Sequence, residues 1–106
     1  DNIHDPFHPF GRGDLLQIAL ITGYAAHMGS PEDMRQLLRM ITVTAADVAG
    51  LGDYGVKLGS PADFVILDAR TPEEAFTMLP AARWVGKRGR FVSASKLQSW
   101  RLDQTE

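Results

Sequence analysis

The sequence contains no cysteine. Disulfides, thiolate metal ligands and cysteine nucleophiles are therefore excluded. The absence fits a reducing cytoplasm, which is the expected location. Long hydrophobic runs are also missing. The longest, residues 18–28, is interrupted by Thr22, Gly23 and His27 and is too short to span a bilayer. The first residues, Asp1-Asn2-Ile3-His4-Asp5, have neither a basic nor an apolar region, so no signal peptide is expected. There is no initiating Met either, which suggests a processed or truncated product. Basic charge is not in excess: Lys and Arg total 11 against 13 Asp and Glu, for a formal net charge of -2. This excludes the electrostatic footprint of a nucleic-acid binder. Arg83, Lys87, Arg88 and Arg90 do cluster, but around two glycines, as a solvated hairpin turn would.

What is present describes a folded domain. The length of 106 residues fits one small domain, and 44% hydrophobic with 23% charged residues argues against disorder. Residues 1–13 read as a loop, because Pro6, Pro9, Gly11 and Gly13 break any regular period. Phe7 and Phe10 are apolar anchors in it.

Asp14 is a good N-cap, and the apolar spacing after it predicts a helix over residues 15–28 that Gly29 stops. That helix is apolar on nearly every face, as a helix buried on several sides is. Ser30-Pro31-Glu32-Asp33 reads as an N-cap, a first-turn Pro and first-turn acids. Met34, Leu37, Leu38 and Ile41 follow at helical spacing. Thr44-Ala45-Ala46-Asp47 predicts another short helix capped by Thr44, ended by Gly50 and Gly52.

Near residue 52 the pattern changes. Phe64-Val65-Ile66-Leu67, bounded by two aspartates, predicts a buried strand. Thr71-Pro72-Glu73-Glu74 is a capping box opening a helix to about Leu79, with Pro80 ending it. Residues 83–85 and 90–92 flank Gly86-Lys87-Arg88-Gly89, a hairpin with a four-residue connection.

The chemistry-bearing residues are few. Asp1, His4, Asp5 and His8 form the densest polar group, and both side-chain types ligate zinc or iron. Pro6 and Pro9 forbid a regular helix here, so the spacing alone does not place them on one face; read without the family, they are ordinary polar loop residues. His27 reads as a half-buried histidine near a helix C-terminus, where the dipole favours its charged form. Gly11-Arg12-Gly13-Asp14 follows no strand and lacks a third glycine, so it is no dinucleotide loop. From the residues alone the reading stops at a mixed α and β domain.

Four segments carry a resemblance further. Asp1-Asn2-Ile3-His4-Asp5-Pro6-Phe7-His8-Pro9-Phe10-Gly11 resembles the loop after the last barrel strand in cytosine deaminase and its close relatives, including the aminohydrolases of s-triazine breakdown. Thr44-Ala45-Ala46-Asp47-Val48-Ala49-Gly50-Leu51 resembles that family's helix leading out of the barrel. Residues 53–67, with Gly59-Ser60-Pro61-Ala62-Asp63 followed by Phe64-Val65-Ile66-Leu67 as their signature, resemble the return into the small β domain of metal-dependent amidohydrolases, and residues 83–92 its closing hairpin.

The resemblance implies an α+β chain. Residues 1–52 would be the end of a (β/α)8 barrel and residues 53–106 part of a small β-sandwich domain. Asp1 matches the family's metal ligand at the end of the eighth strand, which also takes the proton of the attacking water. The implied cofactor is a divalent metal, zinc or iron, which makes hydroxide available near neutral pH. Hydroxide then displaces ammonia or an amine from a heterocyclic ring carbon. Asn2 matches a pocket position that is Asp in some cytosine deaminases, a departure that leaves room for another ring substrate. Phe7 matches an aromatic that shapes the family's substrate pocket, and His8 is a pocket candidate as its neighbour.

The family's His ligands and general-base Glu are not in this chain, so alone it is expected to be inactive and to hold no metal tightly. The expected partner is a small heterocyclic substrate, with no nucleic acid and no membrane. Because the helix over residues 15–28 would expose its apolar faces, the isolated chain is expected to form homo-oligomers. Two other readings stand beside this one: a stand-alone interaction module derived from an amidohydrolase tail, and a small metal-binding protein using Asp1, His4, Asp5 and His8.

Overall fold

The computed structural model describes residues 12–96 and 98–102. Four helices and three strands follow in the order α1 (Leu15–Ala25), α2 (Pro31–Met40), α3 (Val43–Val48), β1 (Phe64–Leu67), α4 (Pro72–Met78), β2 (Arg83–Lys87) and β3 (Arg90–Ser95). The architecture is α+β, with the three strands in one antiparallel sheet of order β1-β2-β3. Among the described residues no helix is long and apolar enough to cross a membrane.

The helix starts follow local side-chain chemistry. The Asp14 carboxylate accepts the Leu16 N–H at 3.1 Å and caps α1. At α2, Ser30 Oγ accepts the Asp33 N–H and Asp33 Oδ2 accepts the Ser30 N–H, a reciprocal capping box with Pro31 at the first helical position. At α4, Thr71 Oγ1 accepts the Glu74 N–H, but Glu74 Oε2 reaches the N–H of Arg70 instead of Thr71. The expected box is thus closed one residue upstream.

Two helix boundaries differ from the expectation. Helix α1 ends at Ala25, three residues before Met28, and the left-handed residue after it is His27, with φ 57°, not Gly29. Met28 N–H donates to the Gly23 carbonyl at 2.8 Å and His27 N–H to the Tyr24 carbonyl at 3.3 Å, which satisfies the open carbonyls of the last turn. This turn returns Met28 to the core and leaves His27 exposed, not half-buried inside a helix. Helix α3 begins at Val43, so Thr44 lies inside it and forms no cap. Thr42 Oγ1 bonds back to the Leu38 carbonyl instead, at 2.7 Å. Gly50, with φ 75°, closes α3 as expected.

The core is helical. Leu16 and Ala19 of α1, Leu37 of α2, and Ala75 and Phe76 of α4 form one buried cluster. Gly23 lets α1 and α2 approach closely: a Cβ at this position would lie 2.8 Å from Leu37 Cδ1. The apolar remainder of α1 is open. Leu15 and Ile21 are more than half exposed, so among the described residues the helix buries one face, not several.

The sheet carries a second apolar surface. Strand β1 pairs with β2 (Phe64↔Gly86, Leu67↔Arg83), and β2 pairs with β3. The β2–β3 connection is two residues, not four: Arg88 and Gly89 both have positive φ (51° and 79°), the turn that matches the twist of a tight hairpin. Gly86 lies within the strand beside a bulge, and the Phe64 ring covers it so closely that a Cβ would collide with the ring. Phe64, Phe91 and Trp84 then stack edge to face at centroid distances of 5.7 and 5.2 Å. Val65 and Ile66 are half exposed, so β1 is an open edge strand instead of the buried strand its apolar run predicts.

The Gly23 contact yields a stability prediction. A mid-helix Gly→Ala change in open space stabilises by up to about 1 kcal/mol. Gly23→Ala is expected to lower stability by about 1 kcal/mol net, because overpacking against Leu37 costs about 1–3 kcal/mol. Gly29→Ala, with no atom within 4 Å of the added methyl, is expected to be neutral or better. Thermal unfolding of the two variants checks the contrast.

Candidate functional site

Asp1, Asn2, Phe7 and His8, with His4 and Asp5, lie outside the described residues. The structure does describe the root of the segment that carries them. Gly13 adopts φ 68° and turns the chain into α1. Arg12 N–H lies 3.4 Å from Gln17 Oε1 on the first turn of that helix.

Asp14 follows, and its carboxylate is shared. Arg83 Nη1 donates to Asp14 Oδ1 at 3.0 Å and Nη2 donates to Oδ2 at 2.8 Å. Arg83 Nε donates in turn to the Pro80 carbonyl at 2.7 Å. The side chains are 24% and 14% exposed for Arg83 and Asp14, so this planar fork is largely withdrawn from water. The Arg83 hydrogen bonds hold the Asp14 carboxyl below its ordinary range against the opposing effect of burial, with the Leu16 N–H adding to them. The same contact raises Arg83. A long-range ion pair thus ties the first residue of the helical layer to a residue of the sheet, 69 positions later.

A second carboxylate explains the Gly59–Asp63 motif. Asp63 Oδ1 accepts the Arg88 N–H at 2.8 Å, and Oδ2 accepts Lys87 Nζ at 3.0 Å. Gly89 N–H donates to the Ala62 carbonyl at 3.0 Å. The motif therefore holds the hairpin turn, and its role here is structural. The basic cluster seen in the sequence is dispersed: Arg83 pairs with Asp14 and Lys87 with Asp63.

A concavity of about 690 Å³ lies where the end of α1 meets α2 and α4. Leu20, Met28, Met34 and Phe76 give it an apolar lining, while His27 and Glu73 bring the titratable groups. Glu73 is 3.8 Å from Arg35. Among the described residues no group of three or more His, Cys, Asp or Glu side chains could hold a metal ion. The groove is suited to an apolar group and does not present an assembled catalytic centre.

No family model matches the chain. Individual proteins do. The N-isopropylammelide isopropyl amidohydrolase of Pseudomonas sp. (strain ADP) is 36% identical over 93 residues, covering 87% of this chain and 23% of that protein. The 5-methylcytosine deaminase of Klebsiella pneumoniae, solved with 5-fluorocytosine, superposes with a TM-score of 0.83 at 30% identity over 96% of this chain and 25% of that one. The chain is homologous to part of the amidohydrolase-type deaminases. A pterin deaminase of Rhizobium rhizogenes (strain K84 / ATCC BAA-868) is 29% identical over 96 residues, 90% of this chain and 22% of that deaminase. The chain thus spans about a quarter of the length of these amidohydrolase-type deaminases.

Asp14, Asp33 and Asp63 all lie below the ordinary carboxylate value of 3.8. For Asp33 the first cause is the Ser30 N–H, and for Asp63 the Arg88 N–H. A carboxyl lowered on folding adds stability that is complete above its unfolded pKa, about 4, and lost as pH falls through the folded value. The thermal midpoint is expected to hold from neutral pH to about pH 5 and to drop below pH 4. Asp63→Asn is expected to lower the midpoint at neutral pH and to flatten the acid limb, since one titrating group is gone. Equal acid slopes in the two proteins would contradict the assignment.

Proposed function

We propose that the chain is a portion of a hydrolytic deaminase that replaces an exocyclic amino group on a nitrogen heterocycle with oxygen. The observation carrying this reading is the combination of 36% identity to an amidohydrolase and a TM-score of 0.83 to a deaminase, both over most of the chain. In the reaction, water adds to the ring carbon, the C–N bond breaks, and ammonia or an amine leaves. Asp1 receives the proton of the attacking water, and Asn2, Phe7 and His8 line the substrate pocket. Cytosine-like, pterin-like and alkylamino-triazine rings are the candidate substrates, by analogy with the relatives. Residues 1–52 would close a (β/α)8 barrel and residues 53–106 would belong to a small β-sandwich domain.

The family's divalent metal, zinc or iron, is part of this proposal, with Asp1 among its ligands. The described residues do not form a site for it. A catalytic zinc takes about three protein ligands, so Asp1 alone does not suffice. The 106-residue chain by itself is therefore proposed to be inactive, its other catalytic groups coming from the rest of a longer polypeptide.

Assay of the full-length polypeptide against cytosine, 5-methylcytosine, pterin and N-isopropylammelide, reading released ammonia or amine, checks the proposal. Turnover of at least one ring is expected. Asp1→Asn is expected to lower kcat/KM by about 10²–10⁴-fold, the usual contribution of a positioned proton acceptor. Undiminished activity of Asp1→Asn, or comparable turnover by the 106-residue chain alone, would overturn it.

A further inference from the structure

We infer that β1 is a docking edge: an apolar extended segment from the rest of the longer polypeptide pairs with it and covers the aromatic face beside it. The inference rests on the reading above only in taking the chain as part of a longer polypeptide.

The two faces of the sheet differ. Side chains alternate along a strand, so Phe64 and Ile66 share one face. Ile66 pairs with Trp84 and Phe64 with Gly86, so Trp84 lies on that face too. Phe91 joins them through its edge-to-face contacts with Phe64 and Trp84. The opposite face carries Leu67, which packs against the helical core, and Arg83, which holds Asp14. The helices therefore meet one side of the sheet. On the other side Ile66 is 51%, Trp84 50% and Phe91 60% exposed among the described residues. An apolar sheet face of this kind is one against which a second layer packs.

The two edges differ as well. Strand β3 contains Arg90, Ser93 and Ser95, and a bulge interrupts its pairing with β2. Charge and bulges both discourage a further strand. Strand β1 has neither. Its four residues are all apolar, they pair with β2 in unbroken register, and among the described residues no strand lies on their outer side.

A second copy of the chain does not fit this edge. Antiparallel pairing of two β1 strands about their midpoint sets Val65 beside Ile66 and brings Asp63 opposite Asp68 at both ends. Like charges directly opposite destabilise a strand pair. The rest of the polypeptide does fit. The chain spans about a quarter of the length of its relatives, so most of such a polypeptide lies outside it. A segment of the same polypeptide also joins the sheet without the entropy lost when separate molecules associate. That segment is extended, apolar where it meets Phe64, Ile66 and Trp84, and free of carboxylates opposite Asp63 and Asp68.

Hydrogen exchange and hydroxyl-radical footprinting of the full-length polypeptide, read by mass spectrometry at high and at low protein concentration, test this. In an antiparallel pair every second N–H points away from the partner, so β2 alone cannot protect all of β1. Every amide of Phe64–Leu67 is expected to exchange on the order of 100-fold or more slowly than unstructured chain, as core strands do. Ile66, Trp84 and Phe91 are expected to lose radical modification at both concentrations.

Three results overturn the inference. Fast exchange of the outward β1 amides shows that no strand is added, even if other structure shields the aromatic rings. Modification of Trp84 and Phe91 at the rates of the free amino acids shows that the face is open. Protection that disappears on dilution assigns the cover to a second copy. None of these readouts depends on turnover. A polypeptide that acts on none of the rings yet protects β1 leaves this inference standing and sinks the reading above; one that acts on a ring and leaves β1 open sinks only this inference.

Discussion

The junction between helices and sheet depends on the Asp14–Arg83 fork. The buried cluster is built from α1, α2 and α4, and of the described strand residues only Leu67 packs against it. One aliphatic side chain is a small apolar seam, worth on the order of 2 kcal/mol by area. The fork adds two charge-assisted hydrogen bonds at the same junction, mostly out of solvent. Removal of either partner leaves the other charge partly buried and unpaired, which costs more than the lost attraction. The same carboxylate caps α1, so the start of that helix and the docking of β2 are set together.

Much of the local structure was legible because its causes are local. The N-caps at Asp14, Ser30 and Thr71 are side chains bonding their own backbone within three residues, so short motifs carry the whole signal. The hairpin was visible for a similar reason. Its turn was narrower than it looked because Gly86 serves the Phe64 ring and not the turn. The end of α1 lies short of Gly29 because His27, not a glycine, takes the left-handed conformation there. That choice follows from Met28 returning to the core, a tertiary fact. The exposure of β1 was hidden because a run such as Phe64-Val65-Ile66-Leu67 reads the same whether its outer face is covered or open.

The candidate site divides along the same line. Asp1, Asn2, Phe7 and His8 stand out by resemblance to a family, not by physical pattern. In the sequence Arg83 sits among other basic residues as a solvated turn residue does, and Asp14 reads only as a cap. Their contact joins positions 69 apart, and no periodicity or spacing rule reaches that far. A cap residue that is also a carboxylate, together with an arginine at the first position of a strand, is at most a weak hint of such a pair. The open apolar surfaces on α1 and on the sheet, including Ile21, Trp84 and Phe91, suit a chain that spans about a quarter of its relatives.

A double-mutant cycle on the fork tests this account most directly. Asp14→Ser, Arg83→Met and the double variant are compared with the parent chain by denaturant unfolding. The account predicts a coupling free energy of about 1.5–3 kcal/mol, the range for hydrogen bonds to charged groups, with the double variant little worse than either single one. Additive losses, and hence a coupling near zero, would show that sheet and helices hold together without the fork and would contradict it.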